Sequence, residues 1–243
     1  MSENFAGASK TNTSFISPIE RRMERIVIPL VPARIETYHL TLFTIVWCMG
    51  IIAFSLLAAA RDIRWLWFVS LMVVMQYVTD YLDGKVGKYR NTGLVKWGFY
   101  FDHLLDYVFL CAVAIGYAII LPESTSRYHL LLVLTVFGGF MVNSFLTFAV
   151  TQEFDISYMK FGPTEFRIAL VIINTLLIFY GTGGMIRALP FVAAGAFISL
   201  CSLIYRTQKA IWESDMNYKK HHEAQAHTEQ LPTRTQLINH TTQ

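Results

Sequence analysis

Long apolar runs separated by short polar segments dominate the chain from residue 38 to residue 205. Each run is close to the roughly 20 residues that an α-helix needs to cross the hydrocarbon core of a bilayer. The runs cover residues 38–60, 64–82, 98–121, 128–150, 164–182 and 188–205. This pattern predicts an all-α integral membrane protein with six transmembrane helices. An even number of spans puts both termini on the same side of the membrane.

The two ends of the chain differ from this central part. Residues 1–17 and 209–243 are rich in Ser, Thr, Asn, Gln and His and lack the apolar periodicity that burial requires. We expect a disordered N-terminal tail over 1–17, a six-helix membrane domain over 18–208 and a polar C-terminal tail over 209–243. Residues 16–40 mix apolar side chains with Arg and Glu, which favours an amphipathic helix in the membrane interface. A simple polar lead-in to the first span is the alternative.

Composition supports the membrane class and argues against one kind of partner. The 243 residues are 54% hydrophobic, with a mean hydropathy of +0.42, which is too apolar for an ordinary soluble domain of this length. The net charge is only +3, and the basic residues are spread along the chain and not grouped as in a nucleic-acid module. We therefore expect membrane lipids, and no nucleic acid, as partners.

Lys and Arg are unevenly distributed over the predicted connections. Those on the side opposite the N-terminus are few: Arg61, Arg64, Arg127 and Arg187. Positively charged residues are enriched on the cytoplasmic side of membrane proteins, so we predict that both termini are cytoplasmic. The connection between the second and third spans then lies at the cytoplasmic face.

Four aspartates flank that connection. Asp80 and Asp83 are three residues apart at the end of the second predicted helix, whereas Asp102 and Asp106 are four apart at the start of the third. Each pair therefore projects from one face of its helix. Converging carboxylates at a membrane boundary repel one another unless cations neutralise them or some stay protonated. Because Mg²⁺ and Mn²⁺ prefer carboxylate oxygens, we predict a divalent-metal site, with two ions.

The residues between the two pairs suit a substrate that carries phosphate. Glycines keep side chains out of a nucleotide-sized space; they are Gly84, Gly87, Gly93 and Gly98. Basic residues supply positive charge; they are Lys85, Lys88, Arg90 and Lys96. A hydrated helix-end turn is the alternative, but it does not explain two inward-facing pairs on either side of such a segment.

These residues also form a recognisable motif. It reads Asp80-x-x-Asp83-Gly84-x-x-Gly87-Lys88, nine residues, Gly98-x-x-x-Asp102-x-x-x-Asp106. The motif resembles the signature of the CDP-alcohol phosphatidyltransferase family, DxxDGxxAR, eight residues, GxxxDxxxD. This chain has Gly87 in place of Ala, Lys88 in place of Arg, and a spacer one residue longer. A Lys ammonium is a single point charge, whereas an Arg guanidinium can donate two parallel hydrogen bonds to a phosphate. We therefore expect a looser diphosphate contact, or one shared with Arg90.

The resemblance implies an activity and a role for each matching residue. The activity is metal-dependent transfer of a substituted phosphate group from a CDP-alcohol to an acceptor hydroxyl, with release of CMP, in phospholipid biosynthesis. Asp80, Asp83 and Asp102 would be the main ligands of Mg²⁺ or Mn²⁺, and Asp106 would assist the metals or act as general base. The residues implied to line the donor site are Gly84, Gly87, Lys88 and Gly98, with Arg90. The family also makes a homodimer plausible.

The sequence leaves the acceptor open. His103 and residues 161–170 resemble the choline and ethanolamine phosphotransferase branch, which transfers to diacylglycerol. The same segment also fits an ordinary helix start with Thr164 as its N-cap. The chain length instead matches smaller family members, which often use a polar or phosphorylated acceptor with a lipid CDP donor. Lys160 and Arg167 are candidate contacts for such an acceptor phosphate.

Two other kinds of protein remain as alternatives. One is a divalent-cation channel or transporter with an Asp-lined cytoplasmic vestibule. The position of the acids at one end, with few polar residues in the later spans, counts against it. The other is a catalytically inactive scaffold. Lys88 and the longer spacer depart from the family motif and allow this alternative, whereas the presence of all four aspartates argues against it.

Overall fold

A computed structural model of the chain describes residues 28, 31–32, 34–90, 94–121, 124–151 and 163–229. No β-strand occurs in these residues, which confirms the predicted all-α class. The helices are α1 Thr37–Ala60, α2 Leu66–Arg90, α3 Val95–Ile120, α4 Ser124–Thr151, α5 Pro163–Tyr180 and α6 Gly183–Glu229, with a 3-10 helix, Ile63–Trp65, between α1 and α2.

Five helices within the described ranges are long and apolar enough to cross a membrane, namely α1 to α4 and α6. They support the predicted integral membrane class. The predicted span 164–182 corresponds to α5, an 18-residue helix that is not among the five. The six-span topology and the shared side of the termini therefore stay predictions. The predicted tail 1–17 and most of the predicted interfacial helix 16–40 lie outside the described residues.

The first three helices form the centre of the bundle. α1 packs against both α2 and α3, α5 packs against α2, and α4 packs against α3. The most buried apolar side chains of this core include Ile51 of α1, Leu66 and Val73 of α2, Phe109 of α3 and Leu177 of α5. Because α2 and α3 both pack against α1, the two halves of the aspartate motif come together.

A close approach of two helices depends on Gly116. A Cβ atom at this position of α3 would lie 2.7 Å from Oγ of the buried Ser55 on α1. Real Cβ contacts are essentially never that short, so a larger residue would force the Ser55 side chain or the helices to shift. Small residues at helix interfaces are typical of membrane bundles, where they let backbones approach.

A buried hydrogen-bond network ties three helices together. The amide of Asn174 on α5 is fully buried. It accepts a hydrogen bond from the Tyr117 hydroxyl of α3 at 2.8 Å and donates one to the Ser70 hydroxyl of α2 at 3.0 Å. A polar group in an apolar interior is stable only when it is paired, so this network favours one arrangement of α5 against α2 and α3.

α2 is longer than the sequence analysis predicted. The sequence predicts a second span that ends at residue 82 and a third that begins at residue 98, with a glycine-rich connection between the two aspartate pairs. Instead, α2 continues to Arg90 and α3 already begins at Val95. Most of the motif therefore lies on two helices. Of residues 91–94, which separate these helices, the structure describes Leu94.

Tertiary packing explains the extension of α2. Leu82 and Val86 are one turn apart, and both are buried in a small cluster with Ile28 and Leu40. A glycine inside a helix costs about 1 kcal/mol relative to alanine. Burial of a Val or Leu side chain contributes about 1.5–3 kcal/mol, so the two buried residues outweigh the two helical glycines of this segment.

α6 continues through much of the polar stretch that was predicted as a tail. It is 47 residues long, and its last part is helical as far as Glu229. Ion pairs one turn apart, with N–O distances of 3.8 Å, lie on this part: Lys209–Glu213 and Lys219–Glu223. Such pairs add only about 0.3–0.5 kcal/mol each to a helix. By its contacts the chain divides into two compact units, Met1–Leu200 and Cys201–Gln243.

Candidate active site

Three of the four motif aspartates converge. Asp80 of α2 and Asp102 and Asp106 of α3 each offer a carboxylate oxygen, and these oxygens lie within 4.8 Å of one another. All three residues are half-buried, so their charges are only partly solvated. Oxygen ligands at this spacing and with this charge suit a hard divalent cation. The donor set therefore fits Mg²⁺ or Mn²⁺.

Asp83 has a different environment. It is buried, and its Oδ2 accepts a hydrogen bond of 2.8 Å from the hydroxyl of Thr41 on α1. Thr41 is also buried, so the bond is shielded from water. Asp83 is not one of the three carboxylates that converge. Its role as a metal ligand stays a prediction, and Thr41 is a site residue that the sequence analysis did not find.

Arg167, near the start of α5, reaches into the aspartate cluster. Its Nη2 lies 3.0 Å from Oδ2 of Asp80 and 3.2 Å from Oδ1 of Asp106. The arginine is buried, and its guanidinium carbon lies 5.9 Å and 5.8 Å from the ring centres of Tyr77 and Phe109. Two of the three converging carboxylates thus share a cation supplied by another helix. From the sequence, Arg167 is predicted only as a contact for an acceptor phosphate.

Gln76 holds the opposite side of the Arg167 guanidinium. Its Oε1 accepts a hydrogen bond of 2.6 Å from Nε of Arg167. An arginine only donates hydrogen bonds, so the amide oxygen must face it, and the amide nitrogen of Gln76 is then buried without a partner. Leaving a buried donor unpaired costs about 1–3 kcal/mol. In the sequence, the only signal for Gln76 was a polar residue inside an apolar span.

Two of the three motif glycines border open space. A Cβ atom at Gly84 or at Gly98 would meet no heavy atom of the described residues within 4 Å. Helix packing therefore does not explain these glycines, although each lies in a helix that alanine would favour. Gly87, three residues after Gly84, is half-buried. Space beside two aspartate-bearing helices suits the close approach of a ligand, which is the role that the family resemblance implied.

The two basic residues predicted to contact the donor, Lys88 and Arg90, differ in accessibility. Lys88 is exposed on α2. Arg90 instead donates to backbone carbonyls before α1, with Nη1 2.5 Å from the Ile35 oxygen and Nη2 2.8 Å and 3.2 Å from those of Val31 and Pro32. A diphosphate contact by Arg90, as the sequence analysis expected, would require these hydrogen bonds to break. In this structure Arg90 fixes the chain that leads into α1.

His103 lies beside the cluster and packs towards α4. Its Nδ1 is 2.7 Å from the Phe99 carbonyl and 3.8 Å from Oδ2 of Asp102. Its ring centre lies 4.4 Å from that of Phe99 and 5.5 Å from that of Phe145 on α4. The position of His103 therefore does not distinguish diacylglycerol from a polar or phosphorylated acceptor. Lys160 and residues 161–162, which the sequence analysis also considered, lie outside the described residues.

The fold and the site together define a class: an integral membrane protein in which neighbouring helices assemble a carboxylate site suited to a divalent cation. The model of the CDP-alcohol phosphatidyltransferase family matches residues 37–204, which include the whole motif. The chain belongs to this family of transferases, whose members use CDP-alcohol donors and alcohol acceptors and generally depend on divalent metals. No significant match was found among curated proteins or among solved structures.

Proposed function

We propose that this protein transfers the substituted phosphate group of a CDP-alcohol to an acceptor hydroxyl, with release of CMP, in a metal-dependent step of phospholipid biosynthesis. The observation that carries the proposal is the convergence of Asp80, Asp102 and Asp106 within a chain that belongs to the CDP-alcohol phosphatidyltransferase family. The excess of Lys and Arg on one side supports an active site at the cytoplasmic face. A homodimer stays a prediction from the family resemblance.

The converging aspartates would hold Mg²⁺ or Mn²⁺, with Asp83 as the fourth predicted ligand. Bound there, the cations would neutralise charge on the donor diphosphate and on the departing CMP. The half-buried position of the carboxylates would strengthen this effect, because charges interact more strongly where less water screens them. Thr41, through its hydrogen bond to Asp83, would keep that carboxylate in one orientation.

Asp106 would take the proton of the acceptor hydroxyl. An alcohol is a poor nucleophile at neutral pH, so a carboxylate near it must accept the proton as its oxygen attacks the β-phosphorus. The bond from that phosphorus to the bridging oxygen breaks, and CMP leaves with the oxygen. Asp106 lies one turn further along α3 than Asp102, towards the middle of the span, where a lipophilic acceptor would approach. In this structure Arg167 donates a hydrogen bond of 3.2 Å to Oδ1 of Asp106.

The donor would lie along the motif faces of α2 and α3. Gly84 and Gly98 leave space for it, and Gly87 lies on the same part of α2 as Gly84. Lys88 is exposed and would contact the diphosphate as a point charge. An acceptor phosphate could bind Arg167 only if the guanidinium gave up part of its contact with the aspartates, so both a lipid and a polar acceptor belong in the assay.

The direct test is CMP release by the purified protein in detergent. Donors are CDP-diacylglycerol, CDP-choline and CDP-ethanolamine, each offered with diacylglycerol and with polar and phosphorylated alcohols, in Mn²⁺, Mg²⁺ or EDTA. We expect metal-dependent CMP release that falls by at least about 100-fold in Asp106→Asn, because general-base catalysis contributes about 10²–10⁴-fold. Asp215→Asn, the same change at an exposed aspartate of α6, is the matched control and should leave the rate unchanged.

Two outcomes contradict the transferase. In one, CMP release is equal in Asp106→Asn and in the unmodified protein, or is insensitive to EDTA. In the other, no donor yields CMP while the reconstituted protein carries Mn²⁺ across liposome membranes. The second outcome would favour the channel or transporter.

A further inference from the structure

A buried cation of the protein already lies in the aspartate cluster. Nη2 of Arg167 is within 3.2 Å of oxygens of both Asp80 and Asp106, and the arginine side chain is 7% exposed. The proposed function assigns these two carboxylates to a divalent metal. The same pair of side chains therefore has two candidate counterions, one from α5 and one from solution.

The two counterions oppose each other electrostatically. A guanidinium cannot be deprotonated in a protein, so Arg167 keeps its positive charge whatever else binds. A divalent cation on the same carboxylates would lie within a few ångströms of that charge. Little water reaches this position to screen the repulsion, because Arg167 is buried between Tyr77 and Phe109. Metal binding and the two arginine ion pairs must therefore compete.

We propose that Arg167 is the internal counterion of the metal-free site, and that a divalent cation displaces its guanidinium from Asp80 and Asp106 while Gln76 retains it. The inference rests on the proposed function only in assigning the metal to these carboxylates. It gives Gln76, whose polarity in an apolar span is otherwise unexplained, a definite positioning role.

Gln76 suits this role because it is neutral and lies at the other edge of the guanidinium. It accepts from Nε, whereas the aspartates accept from Nη2, so the Gln76 bond of 2.6 Å does not depend on the carboxylates. A neutral amide is not a ligand that Mg²⁺ or Mn²⁺ would take in preference to three carboxylates. The arginine then stays beside the site with its Nη donors available to an anionic group of a substrate.

The first test measures Mn²⁺ binding to purified protein without substrate, by electron paramagnetic resonance of the free ion. Arg167→Gln removes the competing charge, and we expect Mn²⁺ to bind about tenfold more tightly, which corresponds to about 1.4 kcal/mol. Arg167→Lys keeps the charge and should remain close to the unmodified protein. Arg187→Gln is the matched control, since Arg187 is an exposed arginine on α6, and it should leave Mn²⁺ affinity unchanged.

Thermal unfolding supplies a second readout on the same proteins. In EDTA, Arg167→Gln should unfold at a lower temperature than the unmodified protein, because Asp80 and Asp106 lose their counterion. Saturating Mn²⁺ should then stabilise this variant more than it stabilises the unmodified protein, because tighter binding to the folded state gives a larger shift. Equal or weaker Mn²⁺ binding in Arg167→Gln would overturn the proposal.

A measurement on the unmodified sequence covers the case in which Arg167→Gln does not fold. The protein is labelled with ¹⁵N-arginine, and the Arg167 signals are assigned by their absence in Arg167→Lys. On addition of Mg²⁺ we expect the Nη signals to shift or to exchange faster with solvent, while the Nε–H that donates to Gln76 stays protected. Arg167 signals that do not change at saturating Mg²⁺ would overturn the proposal.

The inference and the proposed function fail separately. Metal-dependent CMP release together with unchanged Mn²⁺ affinity in Arg167→Gln would leave the transferase standing and remove the counterion role. Tighter Mn²⁺ binding in Arg167→Gln without CMP release from any donor would keep the counterion role and remove the transferase.

Discussion

The four motif aspartates occupy three different environments, although they look equivalent in the sequence. Asp83 accepts from Thr41 of α1, Asp80 and Asp106 share Arg167 of α5, and Asp102 lies near a ring nitrogen of its neighbour on α3. Carboxylates with different partners respond differently to the same ligand. At the residue scale, the partners therefore give the aspartates different environments, and the effect of each partner can be tested by itself.

Loss of the Thr41 hydroxyl should weaken the site through Asp83. In Thr41→Val, we expect CMP release to fall about tenfold and the protein to lose about 1–2 kcal/mol of stability, because a buried hydrogen bond to a charged group is removed. Thr41→Ser keeps the hydroxyl and should stay close to the unmodified protein. Thr44→Val alters another buried threonine on the same helix and is the control. Equal rates in Thr41→Val and Thr44→Val would show that the bond to Asp83 has no catalytic importance.

Arg90 and Lys88 should respond to mutation in opposite ways. Arg90→Lys cannot reach several carbonyls at once, so we expect a loss of about 1–3 kcal/mol of stability with little change in the KM for the donor. Lys88→Met removes an exposed charge, so the donor KM should rise while the melting temperature stays the same. The measurements are thermal unfolding and donor kinetics. An increased donor KM in Arg90→Lys at unchanged stability would instead support the diphosphate contact that the sequence analysis expected.

At the scale of elements, α2 combines a face that carries motif aspartates with a packing face. Gln76, Asp80 and Asp83 follow one another at helical spacing along one face, whereas Leu82 and Val86 lie on another and are buried. Burial of the second face keeps the helix intact to Arg90. Gly84 on the first face then borders open space at the surface of a helix and does not lie in a connection between helices.

Gly84→Ala should separate stability from activity. The added Cβ meets no heavy atom of the described residues within 4 Å, and alanine favours the helix, so we expect about 0.5–1 kcal/mol of stabilisation. The same methyl group would occupy space proposed for the donor, so the donor KM should rise severalfold. Gly195→Ala in α6, where the added Cβ also meets open space, is the control for stability alone. An unchanged donor KM in Gly84→Ala would exclude close approach of the donor at this position.

At the scale of the whole molecule, the open question is whether α5 crosses the membrane. Its apolar part follows Arg167, and the charge of that residue is paired with aspartates of the bundle and is not exposed to lipid. A paired charge at the end of a helix is far less costly in a membrane than an isolated one. The ion pairs that organise the site therefore also allow α5 to serve as the sixth span.

Six spans put both termini on the same side, whereas five put them on opposite sides. We expect tags at the two termini to be equally accessible, or equally protected, when sealed vesicles of known orientation are treated with protease. Detergent should expose both tags and serves as the control for sealing. Protection of one tag only would mean that α5 does not span, and the predicted location of both termini in the cytoplasm would then be wrong.

The sequence by itself determined the class of the protein and the residues of its motif. Apolar runs of membrane-crossing length predict α-helices directly, because only the residues within each run are involved. The spacing of Asp80, Asp83, Asp102 and Asp106 likewise predicts two carboxylate pairs, because helical periodicity fixes which neighbours share a face. Local spacing does not set helix ends, so it missed the continuation of α2 to Arg90, which depends on burial against α1 and the segment before it.

Only the tertiary structure decided which groups surround the aspartates. Thr41 is 42 residues from Asp83, and Arg167 is 87 residues from Asp80 and 91 from Gln76. Periodicity assigns each residue to a face of its own helix, but packing of the whole bundle decides which faces meet. The buried pairing of Arg167 with the aspartates arises from that packing, because α5 is held against α2 and α3 by contacts that no single segment contains.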